Sequence, residues 1–141
     1  MSDVTMTVLS DAETQELSER LADVFRTADA GEVFTDDLFL DGHPPFWRFQ
    51  LEGRDTFASW LQGYSPDGAD ITVIRTIPTV SGFVTEMVGE HLEGGAVMTD
   101  RKILLCDVHD GRISELTIFC SGDWDEELRT RHAAETTLLR P

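Results

Sequence analysis

The amino-acid sequence predicts an α+β domain in which N-terminal helices pack on a curved antiparallel sheet. Three observations carry that expectation. The longest helical pattern stands near the start, at residues 10–28. Four strand patterns follow one another in the second half, at 70–77, 82–92, 97–108 and 112–121. The links between them are short turns, whereas a parallel neighbour needs a crossover of a dozen or more residues. Helices grouped ahead of a run of strands give α+β rather than α/β order.

Each element has a local reason. Ser10 followed by Glu13 is a capping box, and Leu17, Leu21, Val24 and Phe25 share one face at helical spacing. Ala30-Gly31 ends this helix, and a short helical turn is expected at 32–35. Leu38–Leu40 reads as a brief strand entering the loop Asp41-Gly42-His43-Pro44-Pro45, which its prolines stiffen. Trp47–Leu51 reads as a second short strand, and residues 54–63 as a helix with Phe57, Trp60 and Leu61 on its apolar face. Ser65-Pro66-Asp67-Gly68, Glu93-Gly94-Gly95 and Asp110-Gly111 are turns. Asp123 is the expected N-cap of a last helix over Trp124–His132. The division is a flexible N-terminus at 1–9, one domain at 10–132 and a loose tail at 133–141.

Composition narrows the partners. With 141 residues and 40% hydrophobic content, the chain has the makings of one core. A net charge of −16 repels nucleic acid and anionic membrane surfaces, so neither is an expected partner. No apolar run approaches the roughly 20 residues of a membrane helix, the start lacks a signal-peptide pattern, and cytoplasm is the default location. Lys102 is the only lysine. Adaptation to concentrated salt and a coding bias toward arginine both account for that balance, and neither speaks to function.

Cys106 and Cys120 fit no zinc pattern, and a tight hairpin at Asp110-Gly111 puts them out of register, so free thiols are expected. No phosphate loop, metal-spaced His/carboxylate set or Ser–His–Asp order is visible, and no cofactor or metal is expected.

Strand alternation assigns faces. A three-residue loop with Gly111 in a left-handed bulge pairs positions of equal parity, joining Lys102, Leu104, Cys106, Leu116, Ile118 and Cys120 on one face. That face is expected to meet the helices and line a pocket, with Met87, Gly89, His91 and Trp47 contributing. The opposite face carries Ile103, Leu105 and Phe119 beside Arg101 and Glu115, and is either a homodimer surface or a solvated outer face. Asp41 and His43, two apart at the pocket mouth, can form a proton-moving couple; equally, Asp41 can cap the turn while His43 is solvated. His91 is a base or a core-edge histidine, and Lys102 binds a ligand carboxylate or snorkels out.

Thr35-Asp36-Asp37-Leu38-Phe39-Leu40, Leu51-Glu52-Gly53-Arg54-Asp55-Thr56-Phe57, Asp110 to Leu116 and Phe119 to Trp124 resemble, in order and spacing, the nuclear transport factor 2-like superfamily. That superfamily includes SnoaL-like polyketide cyclases, ketosteroid isomerases and limonene epoxide hydrolases. The resemblance implies a conical α+β barrel, usually homodimeric, with a hydrophobic pocket. The epoxide hydrolases' Asp–Arg–Asp set is not matched: Met87 and Gly89 stand at the arginine and one aspartate, and the other aspartate falls near Ile118. The isomerases' oxyanion donors fall near Val24 and Leu104, and their base falls on Gly42 or, after a one-residue shift, Asp41.

Three functions stay open. One is a cofactor-free cyclase or isomerase moving a proton on a hydrophobic carbonyl compound, with Asp41, His43 or His91 as catalyst. The second is a non-catalytic module for a small hydrophobic molecule or peptide. The third is an adaptor using its outer sheet face.

Overall fold

Ser10 opens the first helix: its hydroxyl accepts from the Glu13 amide while the Glu13 carboxylate accepts from the Ser10 amide. The computed structural model describes residues 8–140, so most of the expected flexible N-terminal segment, residues 1–7, lies outside the described residues. Helix α1 (Asp11–Thr27) buries Leu17, Leu21, Val24 and Phe25 as its spacing requires. It also buries Ser18, whose hydroxyl meets those of Thr85 at 2.9 Å and Thr76 at 2.8 Å, so the polar atoms at this seam are mutually satisfied.

The strands are β1 (Phe34–His43), β2 (Phe49–Glu52), β3 (Asp70–Pro78), β4 (Gly82–Glu93), β5 (Ala96–His109) and β6 (Arg112–Cys120). Helix α2 (Arg54–Tyr64) separates β2 from β3, and α3 (Glu126–Glu135) closes the described chain. The six strands form one curved, unclosed sheet in the order β2-β1-β6-β5-β4-β3.

Four expectations need correction. The sheet is mixed, not antiparallel throughout: β1 runs parallel to β6, Leu40 facing Leu116 and Gly42 facing Ile118. The crossover rule is respected, because residues 44–111 lie between these two strands. The helical turn expected at 32–35 is absent, and β1 is ten residues long, taking in Asp41, Gly42 and His43. The β5–β6 turn has only two central residues, Asp110 and Gly111, with φ of 51° and 78°, the left-handed pair that glycine tolerates best. The bulge lies farther along, between Asp107 and Val108, and it restores equal parity from Asp107–Glu115 onward. Finally, α3 is capped by Asp125 rather than Asp123, and it extends through residues 133–135 of the expected loose tail.

Facing follows the alternation. Phe83, Met87, Leu104, Cys106, Leu116 and Ile118 join Leu21, Phe25, Phe57 and Leu61 in one buried cluster. Burying each large side chain of this kind contributes about 1.5–3 kcal/mol. Ile103, Leu105 and Phe119 are exposed on the opposite face. Both cysteines are free, Cys106 facing Leu116 and Cys120 facing Lys102 in the register.

Candidate functional site

Two helices cannot cover the whole concave face of six strands. They close over its middle and leave one end open. The opening is a cavity of about 270 Å³ between α1, α2 and the ends of β1, β5 and β6. Phe25, Phe49, Trp60, Ile118, Pro44 and Pro45 make its apolar walls. Phe49, Trp60 and Tyr64 form a continuous stack, with centroids 5.4 and 5.1 Å apart.

The polar groups are few. Asp100 and Lys102, two apart on β5, both point inward, with Nζ 2.9 Å from Oδ2. Their side chains are only 2% and 9% exposed. The ammonium also lies 4.7 Å above the Phe25 ring, a cation–π contact in a dry setting. The Cys120 thiol reaches the same Asp100 oxygen at 3.7 Å, and burial raises its pKa. Across the cavity the Tyr64 hydroxyl donates to Asp123, 2.8 and 2.9 Å from its two oxygens. Burial and the Asp123 carboxylate push the phenol above its ordinary pKa, so it remains a neutral donor.

The sequence-derived candidates separate into groups. Lys102, Ile118, Cys120 and His43 line the cavity. Met87, Leu104, Cys106 and Leu116 face the right way but lie in the closed core beneath the helices. Trp47 is 73% exposed on the outside and is no part of the cavity wall. Gly89 makes room for a carboxylate rather than a ligand: a Cβ there would collide with Asp100 Oδ1. Asp41 and His43 do meet, Oδ2 to Nε2 at 3.2 Å, but His43 stacks on outward-facing Phe119 at 4.4 Å. Arg48 pairs with Asp41 at 2.9 Å and is the main reason its pKa falls to about 2, which makes it a poor base. His91 is buried beside Tyr64, with ring centroids 5.2 Å apart, just outside the cavity.

Sequence reasoning missed Asp100, Tyr64 and Asp123. Asp100 has the same parity as Lys102 and was there to be read as its partner. Tyr64 continues the Phe57–Trp60 face by one helical turn. Asp123 is expected as a helix cap, and its carboxylate accepts from Tyr64 instead.

No family model matches the sequence, and no curated protein matches it either. Solved structures do match in fold. An LEH-like epoxide hydrolase from M. tuberculosis aligns with a TM-score of 0.64 at 18% identity, over 78% of this chain and 84% of that one. A putative SnoaL-like polyketide cyclase from Jannaschia sp. CCS1 aligns at 0.63 and 14% identity, over 98% and 99%. The chain has the nuclear transport factor 2-like fold. An NTF2-like protein from Anabaena variabilis, at TM-score 0.63 and 17% identity over 84% and 96%, agrees.

Within the nuclear transport factor 2-like fold the register adds a detail. Met87 lies opposite Lys102, and Gly89 opposite Asp100. The Asp100 carboxylate occupies the space over Gly89.

Proposed function

We propose that the cavity binds a small, mainly apolar, carbonyl-bearing molecule, and that Lys102 and Asp100 move a proton on it without a cofactor, as in a cyclase or isomerase. The observation that carries this reading is the buried ion pair opening on an apolar cavity. Stability does not account for it, because replacing such a pair by packed apolar residues is often neutral or stabilising. The cation of the pair is a lysine rather than an arginine. Lysine is the compact point donor of the two.

In the reaction, an Nζ hydrogen meets the carbonyl oxygen. Asp100 takes the proton from the adjacent carbon, the C–H pair becomes the enolate, and the charge settles on the oxygen beside Lys102. Return of the proton at a conjugated carbon completes an isomerisation, whereas return at the same carbon restores the starting compound; attack of the enolate on a second carbonyl closes a ring, with the proton passing from Asp100 to the new alkoxide. One well-placed oxyanion donor is worth roughly 3 kcal/mol, and a general base ~10²-fold or more.

The test is proton–deuterium exchange of cyclic ketones and 1,3-dicarbonyls in D2O, followed by NMR. Wild-type protein is expected to accelerate exchange at the activated carbon. Asp100→Asn and Lys102→Met should each reduce that acceleration by about 10²-fold or more. Exchange no faster than buffer, or unchanged in Asp100→Asn, removes the catalytic reading. A binding module is the alternative, favoured by the fact that Asp100 and Asp123 already have partners. On that reading the same variants change affinity alone. We also propose that the exposed face bearing Ile103, Leu105 and Phe119 pairs two copies of the chain.

A further inference from the structure

The geometry points to a divalent-cation site formed by His91, Glu93 and Asp123. One ligand atom from each lies within 4.8 Å of those from the other two. His91 and Glu93 are two apart on β4 and so project from the same side of the sheet, while Asp123 arrives from the segment after β6. The third ligand comes from another element, so no spacing motif announces the site in the sequence.

Three features separate this cluster from an ordinary group of acids. His91 is only 6% exposed, and its Nε2 is buried without a hydrogen-bond partner. Buried polar atoms are normally satisfied, so this imidazole asks for a ligand. Next, Glu93 and Asp123 have no Arg or Lys partner within 4.0 Å among the described residues, while Asp41, Glu86 and Asp100 each have one. Two like charges here face each other uncompensated, in a chain of net charge −16 that concentrates cations around itself. Third, the Tyr64 hydroxyl holds the Asp123 carboxylate, the kind of outer partner that fixes a ligating carboxylate.

One imidazole nitrogen and two carboxylate oxygens suit a first-row divalent ion such as zinc or manganese. At zinc bond lengths of about 2.0–2.2 Å, tetrahedral ligand atoms stand roughly 3.4 Å apart, so the three draw together by at most about 1.4 Å from their present spacing within 4.8 Å. Rotation of the exposed Glu93 supplies much of that. Three protein ligands leave a coordination position open to water or a ligand oxygen. Asp123 also lines the cavity, which places that position at the cavity wall. The site does not rest on the proton-transfer reading: either can fail while the other stands.

The test is calorimetric titration of the full chain, freed of metal with EDTA, with zinc chloride and separately manganese chloride. One ion per chain is expected to bind and to raise the unfolding temperature. His91→Ala and Glu93→Gln should each weaken binding at least ~10-fold, and Asp41→Asn should leave it unchanged. If His91→Ala does not fold, the exposed Glu93→Gln and a crystal soaked in zinc, read by anomalous scattering, decide. Binding no tighter than about 1 mM, or binding that Glu93→Gln leaves unaltered, overturns the assignment.

Discussion

Replacing Lys102 with methionine keeps the stem that packs beside Phe25 and removes the charge. Asp100 is then left with 2% of its side chain exposed and only the Cys120 thiol nearby, 3.7 Å away. Breaking one side of a buried pair costs about 3–5 kcal/mol, because the remaining charge is unpaired. For a domain of this size, about 4 °C per kcal/mol turns that into a fall of roughly 12–20 °C in unfolding temperature. The double variant Asp100→Asn/Lys102→Met should lie within about 2 kcal/mol of wild type, giving a coupling energy above roughly 1 kcal/mol. Urea unfolding followed by tryptophan fluorescence measures all four corners of the cycle. A Lys102→Met variant within about 1 kcal/mol of wild type, with additive single effects, would falsify the picture of a dry ion pair. If the double variant is stable yet loses its ligand, the pair serves binding or chemistry rather than folding.

Two further outcomes are expected. Wild-type protein should sediment as a homodimer at micromolar concentration, and Leu105→Glu with Phe119→Glu should give monomers; a monomeric wild type ends the dimer proposal. For Asp41, Arg48 lowers the folded pKa to about 2 from 3.8, so the stability it lends is complete above the unfolded value and lost as pH falls through about 2. Arg48→Met should therefore be less stable than wild type near neutral pH, with the difference closing toward pH 2; a gap that persists there contradicts the pairing.

The helical and alternating patterns were legible wherever one local rule dominated. The Ser10–Glu13 cap and the Leu17–Phe25 stripe define α1, and parity alone puts Leu104, Met87 and Leu116 inside. β1 was not legible in full, because Asp36, Asp37 and Asp41 interrupt the apolar reading, and only the buried set Phe34, Leu38, Leu40 and Gly42 reveals the alternation. Its parallel partner was hidden too, since no local signal links residues 39–43 to 115–119. The site was half legible. Alternation says which side chains face inward, but the lengths of α1 and α2 decide which of those remain uncovered. Trp47 and Trp60 show the difference: Trp47 is expected to contribute to the pocket and Trp60 to the apolar face of its helix, and of the two only Trp60 lines the cavity. The His91–Glu93–Asp123 grouping depends on tertiary proximity alone.

The parallel pairing of β1 with β6 also sets an order of events. During synthesis β1 emerges early, with β2 as its only neighbour until the last strand leaves the ribosome. A lone two-stranded ribbon is marginal in water, so the Leu38–Leu40 segment must wait until Leu116 has been made before its second edge is covered. Contacts at such long sequence separation slow folding.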